Sequence, residues 1–232
     1  FPIGDHFEKY NIDYTNFSEI IKNWNLMQSD LNLSSRTNYL KTHNALCTIN
    51  NYKFTDRNNT LGVIYLVRDP RDVLISYAHH LGKTHQQVLK EMLDSSNKEK
   101  SEFNGKSFVK SLMGRWSDHY NSWKSYKDRN VLIVRYEDLI QNKEGEFLRI
   151  LNYLNITDGV NVNNNKLIQS IEKNSFDKLS KEERETGFNE ASKHGVFFRK
   201  GKVGDWRNNL DVSISKILEK EFEFEMKELK YI

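Results

Sequence analysis

The sequence predicts an α/β fold: a single domain in which a central, mostly parallel sheet is flanked by helices. Two apolar segments rich in β-branched residues, 63–67 and 131–134, have the composition of strands buried on both faces. Each is followed by a polar turn and then by apolar residues at helical spacing. Buried strands that alternate with helices indicate a parallel sheet. No internal repeat and no Pro- or Ser-rich linker divides residues 1–232, so we expect one domain.

The turn after the first strand carries the signals of a helix start. Asp69 is placed to cap a helix whose first position is Pro70, and Val73 and Leu74 follow on its apolar face. The pattern predicts that this helix continues to Leu81. The other predicted elements are a short strand over residues 38–41 and helices over residues 17–24, 108–126, 147–154, 166–172 and 212–229.

Composition narrows the class of protein. Lys and Arg number 35 against 32 Asp and Glu, and the net charge of +3 gives no overall field that favours nucleic acid or an anionic membrane. The single cysteine, Cys47, has no internal partner for a disulfide, as is typical of a reducing cytoplasm. The most apolar stretch, residues 62–67, is far shorter than the ~20 residues of a membrane helix. We therefore predict a cytoplasmic protein with no nucleic-acid partner and no membrane span.

Three segments of the chain follow predicted strands and are expected to meet at one edge of the sheet. In parallel sheets ligands bind at the carboxyl ends of the strands. This rule selects residues 41–43, 68–71 and 135–138. The predicted site is therefore rich in cations and contains one histidine.

The motifs at these positions resemble those of the cytosolic sulfotransferases, in the same order, from about Tyr39 to Lys230. The most specific is R-K-G-K-V-G-D-W over residues 199–206, which matches the family's R-K-G-x-x-G-D-W. The others are K-T-H at residues 41–43, a strand-turn-helix over residues 65–77, and a diffuse set around residues 136 and 174–179. The resemblance implies a fold related to the P-loop NTPases. It also implies an enzyme that transfers a sulfuryl group from 3′-phosphoadenosine 5′-phosphosulfate (PAPS) to an acceptor.

Two residues carry the chemistry that the resemblance implies. His43 is expected to be the general base, because an imidazole with a pKa near neutrality can take a proton from an attacking hydroxyl or amine. Lys41, two residues earlier on the predicted strand, points to the same face and would stabilise negative charge on the transferring sulfuryl group.

The resemblance also assigns the residues that bind the 3′-phosphate of the nucleotide. Arg68, at the end of its strand, would grip the phosphate with its planar fork, and Ser76 on the following helix would add a hydroxyl. Arg199, Lys200 and Gly201 would form a basic loop whose backbone approaches a phosphate closely.

The adenine is expected to contact a separate set of residues. Tyr136 would hydrogen-bond the base, and the pair Ser175 and Phe176 would supply an aromatic face for it. Stacking on such a ring contributes on the order of 1 kcal/mol beyond the area that it buries.

The chain departs from the family pattern in two places. The loop of the form P-K-S-G-T-T-W, which holds the 5′-phosphosulfate in the family, does not occur in residues 1–232, and we expect it before Phe1, so the domain is N-terminally incomplete. Gly82-Lys83-Thr84 is interpreted as a helix end and not as that loop. The family's dimer motif K-x-x-x-T-V-x-x-x-E has Lys216 in place of its terminal acid, which leaves the oligomeric state open.

The predicted function is sulfuryl transfer from PAPS to a hydroxyl or amine of a small acceptor, with release of 3′-phosphoadenosine 5′-phosphate (PAP) and no metal. Acceptor-binding walls are expected in residues 7–30 and 82–106. The alternative is a nucleotide-binding module that keeps the 3′-phosphate site and does not catalyse transfer. A P-loop kinase is disfavoured because the strand ends carry Arg68 and His43 where Mg²⁺ binding requires acidic residues.

Overall fold

A computed structural model of the protein describes residues 4–33, 36–96, 98–99, 102–103, 106–107, 109–188 and 190–232. It has the α/β architecture that the sequence predicts, with a small parallel sheet flanked by helices. The chain forms two compact units. The first unit comprises Phe1–Val63 and Asp94–Val131, and the second comprises Ile64–Leu93 and Leu132–Ile232. That both belong to one domain stays a prediction of the sequence.

Helices predominate over strands in the described residues. In chain order the helices are α1 (Gly4–Glu8), α2 (Phe17–Leu31), α3 (Pro70–Leu81), α4 (His85–Leu93), α5 (Trp116–Lys124), α6 (Tyr136–Gln141), α7 (Lys143–Asp158), α8 (Asn164–Lys173), α9 (Phe176–Thr186), α10 (Trp206–Asn209), α11 (Val212–Glu221) and α12 (Glu223–Glu228). The strands are β1 (Thr48–Ile49), β2 (Tyr52–Lys53), β3 (Val63–Val67), β4 (Lys98–Glu99), β5 (Glu102–Phe103), β6 (Lys106–Ser107), β7 (Ser111–Leu112) and β8 (Val131–Arg135).

The strand-turn-helix predicted for residues 63–81 is confirmed. β3 pairs with β8, and Val67 and Val134 are buried. Asp69 accepts a hydrogen bond from the Arg71 amide at 2.9 Å, and α3 ends where Gly82 adopts φ = 62°. The core of the second unit is then formed by apolar side chains of α3, α4, α11 and α12, among them Leu74, Val88, Leu218 and Met226, and by Phe222 between α11 and α12.

The first unit is organised around a row of aromatic rings. The ring centroids of Trp24 on α2 and Phe54 lie 5.3 Å apart, and those of Phe54 and Trp123 on α5 lie 6.0 Å apart, both edge to face. Such pairs contribute about 0.5–1.5 kcal/mol each beyond area burial. They join α2, the β1–β2 hairpin region and α5 in one core.

The predicted strand over residues 38–41 is wrong: these residues are irregular backbone. Tyr39 is 62% exposed and Leu40 is 47% exposed, whereas a strand of a parallel sheet is covered on both faces. The sheet therefore contains β3 and β8 within the described residues, and the K-T-H segment is not part of it.

The helices predicted over residues 17–24, 147–154 and 166–172 extend further, as Phe17–Leu31, Lys143–Asp158 and Asn164–Lys173, and two others begin late or are interrupted. The helix predicted from residue 108 begins at Trp116, because residues 111–112 form β7; residue 108 itself lies outside the described residues. The helix predicted over residues 212–229 is interrupted at Phe222, whose φ of −118° and ψ of 22° end α11 before α12 begins. The Phe222 side chain is fully buried, so core packing outweighs the helical continuity of the sequence.

Candidate functional site

The end of β3 places Arg68 beside two other predicted site segments. Its guanidinium carbon lies 4.5 Å from the centroid of the Tyr136 ring, and its Nη2 donates to the carbonyl of Lys202 at 2.8 Å. The Arg68 Nε is buried and has no hydrogen-bond partner among the described residues. A buried donor without a partner is costly, so an anion that accepts from this N–H fits the site.

Tyr136 opens α6 directly after β8, at the same edge of the sheet. Burial raises the pKa of its hydroxyl above the ordinary value, although the positive charge of Arg68 opposes this. The phenol therefore stays protonated at neutral pH and keeps a hydrogen-bond donor for a ligand.

The basic loop, residues 199–204, holds its two cations on one carboxylate. Arg199 Nη2 donates to Asp205 Oδ2 at 2.8 Å, and Lys200 Nζ donates to Asp205 Oδ1 at 2.9 Å. Burial opposes ionisation of Asp205, but the hydrogen bonds from Lys200 and Arg199 outweigh it and lower the pKa of the carboxyl. Asp205 is thus ionised and orients both cations, leaving the loop with a net positive charge.

Asp72 on α3 anchors the basic loop, a role that the sequence motifs do not reveal. Its side chain is fully buried, its Oδ2 accepts from the amide of Gly204 at 2.7 Å, and its Oδ1 accepts from the amide of Trp206 at 2.9 Å. Arg68 Nη2 lies 3.5 Å from the same carboxylate. The available sequence signal was its position as the second acid of R-D-P-R-D, four residues after Arg68.

Replacing Asp72 by alanine is expected to lower the free energy of unfolding by about 2–4 kcal/mol, because two part-buried amides lose their buried acceptor. The exposed Asp177 in the first turn of α9 is the matched control, and Asp177→Ala is expected to stay within about 0.5 kcal/mol of the parent. Urea unfolding monitored by circular dichroism measures both. Equal, small effects of the two substitutions would contradict the anchoring role.

Arg71 has its donors occupied by the protein itself. It is 3% exposed, pairs with Asp69 and Glu219, and donates to the carbonyl of Tyr231 at 2.9 Å. Its guanidinium carbon lies 3.8 Å from the centroid of a Trp206 ring. Arg71 therefore stabilises the packing of α3 against α11 and the chain end, and is not free to bind a ligand.

Gly201 and Phe176 are brought into direct contact. Gly201 has φ = 59°, and a Cβ built on it would lie 2.5 Å from Phe176 Cδ2. The Phe176 ring also packs edge to face on Phe198, with centroids 6.1 Å apart. Glycine is therefore required here both by backbone conformation and by the approach of an aromatic ring.

Two predicted ligands stand apart from these contacts. Ser76 is exposed on α3, and Ser175 is half-buried at the residue before α9, where its side chain makes no capping bond. Among the described residues no contact joins either hydroxyl to Arg68 or to the basic loop. Their roles stay predictions.

The predicted catalytic pair lies in the first unit. Lys41 and His43 are exposed and lie two residues apart in irregular backbone. Directly after them, the fully buried Asn44 accepts from the Leu112 amide at 2.8 Å through its side chain and from Trp123 Nε1 at 3.0 Å through its carbonyl. His43, the predicted general base, is thus exposed, whereas the next residue, Asn44, is buried and held by two hydrogen bonds.

The amino-acid sequence matches one known protein family over most of its length. The family model described as the sulfotransferase domain matches residues 4–230. The chain belongs to the sulfotransferase family.

Individual sulfotransferases with known names resemble the chain over most of its length. It is 32% identical over 190 residues to the amine sulfotransferase of Oryctolagus cuniculus, covering 76% of this chain and 58% of the relative. It is 28% identical over 162 residues to sulfotransferase 1C2 of Homo sapiens, covering 67% and 51%. The chain spans about half the length of these curated relatives.

Solved sulfotransferase structures share the fold. Mouse sulfotransferase SULT7A1 complexed with PAP matches with a TM-score of 0.53 and 24% identity, covering 72% of this chain and 58% of that one. Retinol dehydratase in complex with androsterone and the inactive cofactor PAP matches with a TM-score of 0.61 and 21% identity, covering 94% and 62%. These similarities confirm the predicted fold class.

A membrane-spanning segment and a metal centre each require a recognisable arrangement of residues. No helix in the described part of the chain has the length and apolar character to cross a membrane. No group of three or more His, Cys, Asp or Glu side chains among the described residues is arranged to hold a metal ion.

Proposed function

We propose that this protein takes part in sulfuryl transfer from PAPS to a hydroxyl or amine of a small acceptor, and that the second unit binds the 3′-phosphate end of the nucleotide. The observation that carries the proposal is the arrangement at the end of β3. The partly buried Arg68, with a donor lacking a partner among the described residues, lies between the Tyr136 ring and the backbone of the basic loop. PAP in related sulfotransferase structures supports the choice of nucleotide.

Charge and shape in the second unit suit a nucleotide with a free phosphate. Arg68, Arg199 and Lys200 supply cations, and the Phe176 ring beside Gly201 offers an apolar surface for a base. Arg68 presents a planar fork that matches phosphate oxygens. Asp205 holds the two loop cations in place, so a phosphate that approaches them meets donors with little remaining freedom to lose.

The proposed chemistry is an in-line displacement at sulfur. The acceptor oxygen or nitrogen forms a bond to sulfur while its proton passes to the His43 imidazole, and the bond from sulfur to the 5′-phosphate oxygen breaks. The electron pair of that bond leaves with PAP. Lys41 stabilises the negative charge that develops on the transferring group. Sulfotransferases of this proposed type need no metal ion in the step, because the charge is met by cationic side chains.

PAP is expected to bind at least tenfold more tightly than AMP, a difference of about 1.4 kcal/mol, because the two nucleotides differ in the 3′-phosphate that Arg68 would hold. Isothermal titration calorimetry of the chain with each nucleotide at fixed ionic strength measures the ratio. Equal affinities for PAP and AMP would contradict the proposed 3′-phosphate site and with it the proposed function. A module that binds PAP without transfer gives the same binding result, and is distinguished by its failure to transfer label from PAPS to any acceptor.

The proposal also includes the kind of acceptor and the cellular location of the reaction. Structures of retinol dehydratase contain retinol or androsterone, which supports a small-molecule acceptor here. The predicted acceptor-binding walls, residues 7–30 and 82–106, stay a proposal, and residues 97, 100–101 and 104–105 lie outside the described residues. A cytoplasmic location is proposed from the single cysteine and from the cytosolic relatives.

A further inference from the structure

We propose that His119 is a positioning residue for His43, fixing the main chain from which the base projects. His119 Nε2 lies 3.2 Å from the carbonyl oxygen of His43, a contact within the first unit. The contact stands on its own geometry, and its consequence for catalysis rests on the proposed function of His43.

His43 needs such a contact because it lies in irregular backbone. Residues 36–41 are exposed and form no strand. A general base must reach the proton that it abstracts at a heavy-atom distance of about 2.6–3.2 Å. Displacement of a reacting group by about 1 Å costs on the order of 10²-fold in rate, so the main chain at His43 must be held in place.

One face of α5 supplies the holding groups. Residues 119, 122 and 123 are spaced as neighbours on a helix surface. Besides the His119 contact, Trp123 Nε1 donates to the carbonyl of Asn44 at 3.0 Å, and Ser122 Oγ accepts from the amide of Leu46 at 3.0 Å. Three contacts thus run along residues 43–46, and His119 makes the one that reaches the proposed base.

The hydrogen bond also assigns the tautomer of His119. A carbonyl oxygen only accepts, so the proton must be on Nε2 of His119. Burial lowers the pKa of His119, the hydrogen bond to the His43 carbonyl opposes this, and the charge of the nearby His43 ring adds to the lowering. His119 is therefore neutral at pH 7, and does not oppose the positive charge that His43 acquires when it takes the acceptor proton.

Two substitutions of His119 separate positioning from packing. His119→Leu fills part of the same space with an apolar side chain and removes the donor, whereas His119→Gln keeps an N–H at a similar distance from the main chain. We expect His119→Leu to lower kcat about tenfold, with the acceptor KM and the PAP Kd within about twofold, and His119→Gln to recover kcat to within about threefold of the parent. Ser125→Ala, which removes an exposed hydroxyl at the end of the same helix and no contact to residues 43–46, is the matched control and should keep kcat within about twofold.

Nitrogen NMR of the histidine rings tests the contact in the chain itself, without turnover. The expected result is a neutral His119 ring with its proton on Nε2, together with a change in the His43 backbone amide signal in His119→Leu and little change in His119→Gln. A proton on Nδ1 of His119, or equal kcat for His119→Leu and the parent, would overturn the proposal. Equal losses for the leucine and glutamine variants would also overturn it, since packing alone would then explain them. A parent protein that binds PAP and shows the NMR result but turns over no acceptor contradicts the proposed function instead.

Discussion

In a protein that includes the family's 5′-phosphosulfate loop, substitution of His43 by alanine is expected to lower kcat for sulfuryl transfer by 10² or more and to leave the affinity for PAP within about twofold. The reason is that proton removal acts in the transition state, whereas the nucleotide is proposed to contact groups of the second unit. Lys41→Ala is expected to lower kcat as well, with an additional effect on donor binding through the lost charge.

The measurement uses labelled PAPS with a panel of phenols, alcohols and amines, and calorimetry with PAP on the same preparations. His194→Ala is the matched control, since His194 is an exposed histidine of the second unit and has no proposed role. A His43→Ala protein that keeps the parent kcat on an accepted substrate would show that the general base lies elsewhere. A parent that binds PAP and transfers nothing to any acceptor would favour the nucleotide-binding module.

The local parts of the fold were predictable from the sequence. The strand over residues 63–67, its Asp69 cap, Pro70 at the first helical position and the Gly82 helix end depend on interactions within a few residues. The prediction of a strand at residues 38–41 was wrong because its apolar residues are exposed. Burial depends on the whole fold and cannot be read from a short segment. The prediction of a continuous helix through Phe222 was wrong for a related reason: this side chain is buried in the core.

Some contacts of the candidate site join motif residues with assigned roles, whereas others involve residues without one. The structure brings Arg68 to Tyr136 and Gly201 to Phe176, and each pair joins a residue assigned by the resemblance to the 3′-phosphate with one assigned to the adenine. The anchoring role of Asp72 was not predicted because its partners, the amides of Gly204 and Trp206, are 132 and 134 residues away in the sequence. No periodicity or spacing reports such a pairing.

His119 illustrates the same difficulty in the first unit. Its partner is a main-chain carbonyl, and any residue at position 43 supplies one, so the sequence contains no matching side chain to detect. The only available signal was the spacing of residues 119, 122 and 123 on one helix face, which a buried apolar stripe would produce equally well.

Two arginines of the R-D-P-R segment have opposite roles, and this determines which substitution tests the nucleotide site. Arg71 is buried among Asp69, Glu219 and the Tyr231 carbonyl, so its removal leaves uncompensated buried charge and destabilises the fold. Arg68 is 21% exposed and keeps a donor without a partner among the described residues. Loss of PAP binding in Arg71→Ala would therefore report unfolding and not ligand contact.

Arg68→Ala is expected to weaken PAP binding about 30-fold, which corresponds to about 2 kcal/mol for a charge-assisted, forked contact, and to leave AMP binding within about threefold. The preference for PAP over AMP should then fall from tenfold or more to near unity, because Arg68 would contact only the phosphate in which the two differ. Calorimetry of both nucleotides at one salt concentration gives the ratio, and urea unfolding verifies that the variant is folded. Lys202→Ala is the matched control: it removes an exposed cation of the same loop and keeps the carbonyl that accepts from Arg68, so its PAP to AMP ratio should stay within about threefold of the parent. An Arg68→Ala protein that is folded and still prefers PAP tenfold would place the 3′-phosphate on other cations of the second unit.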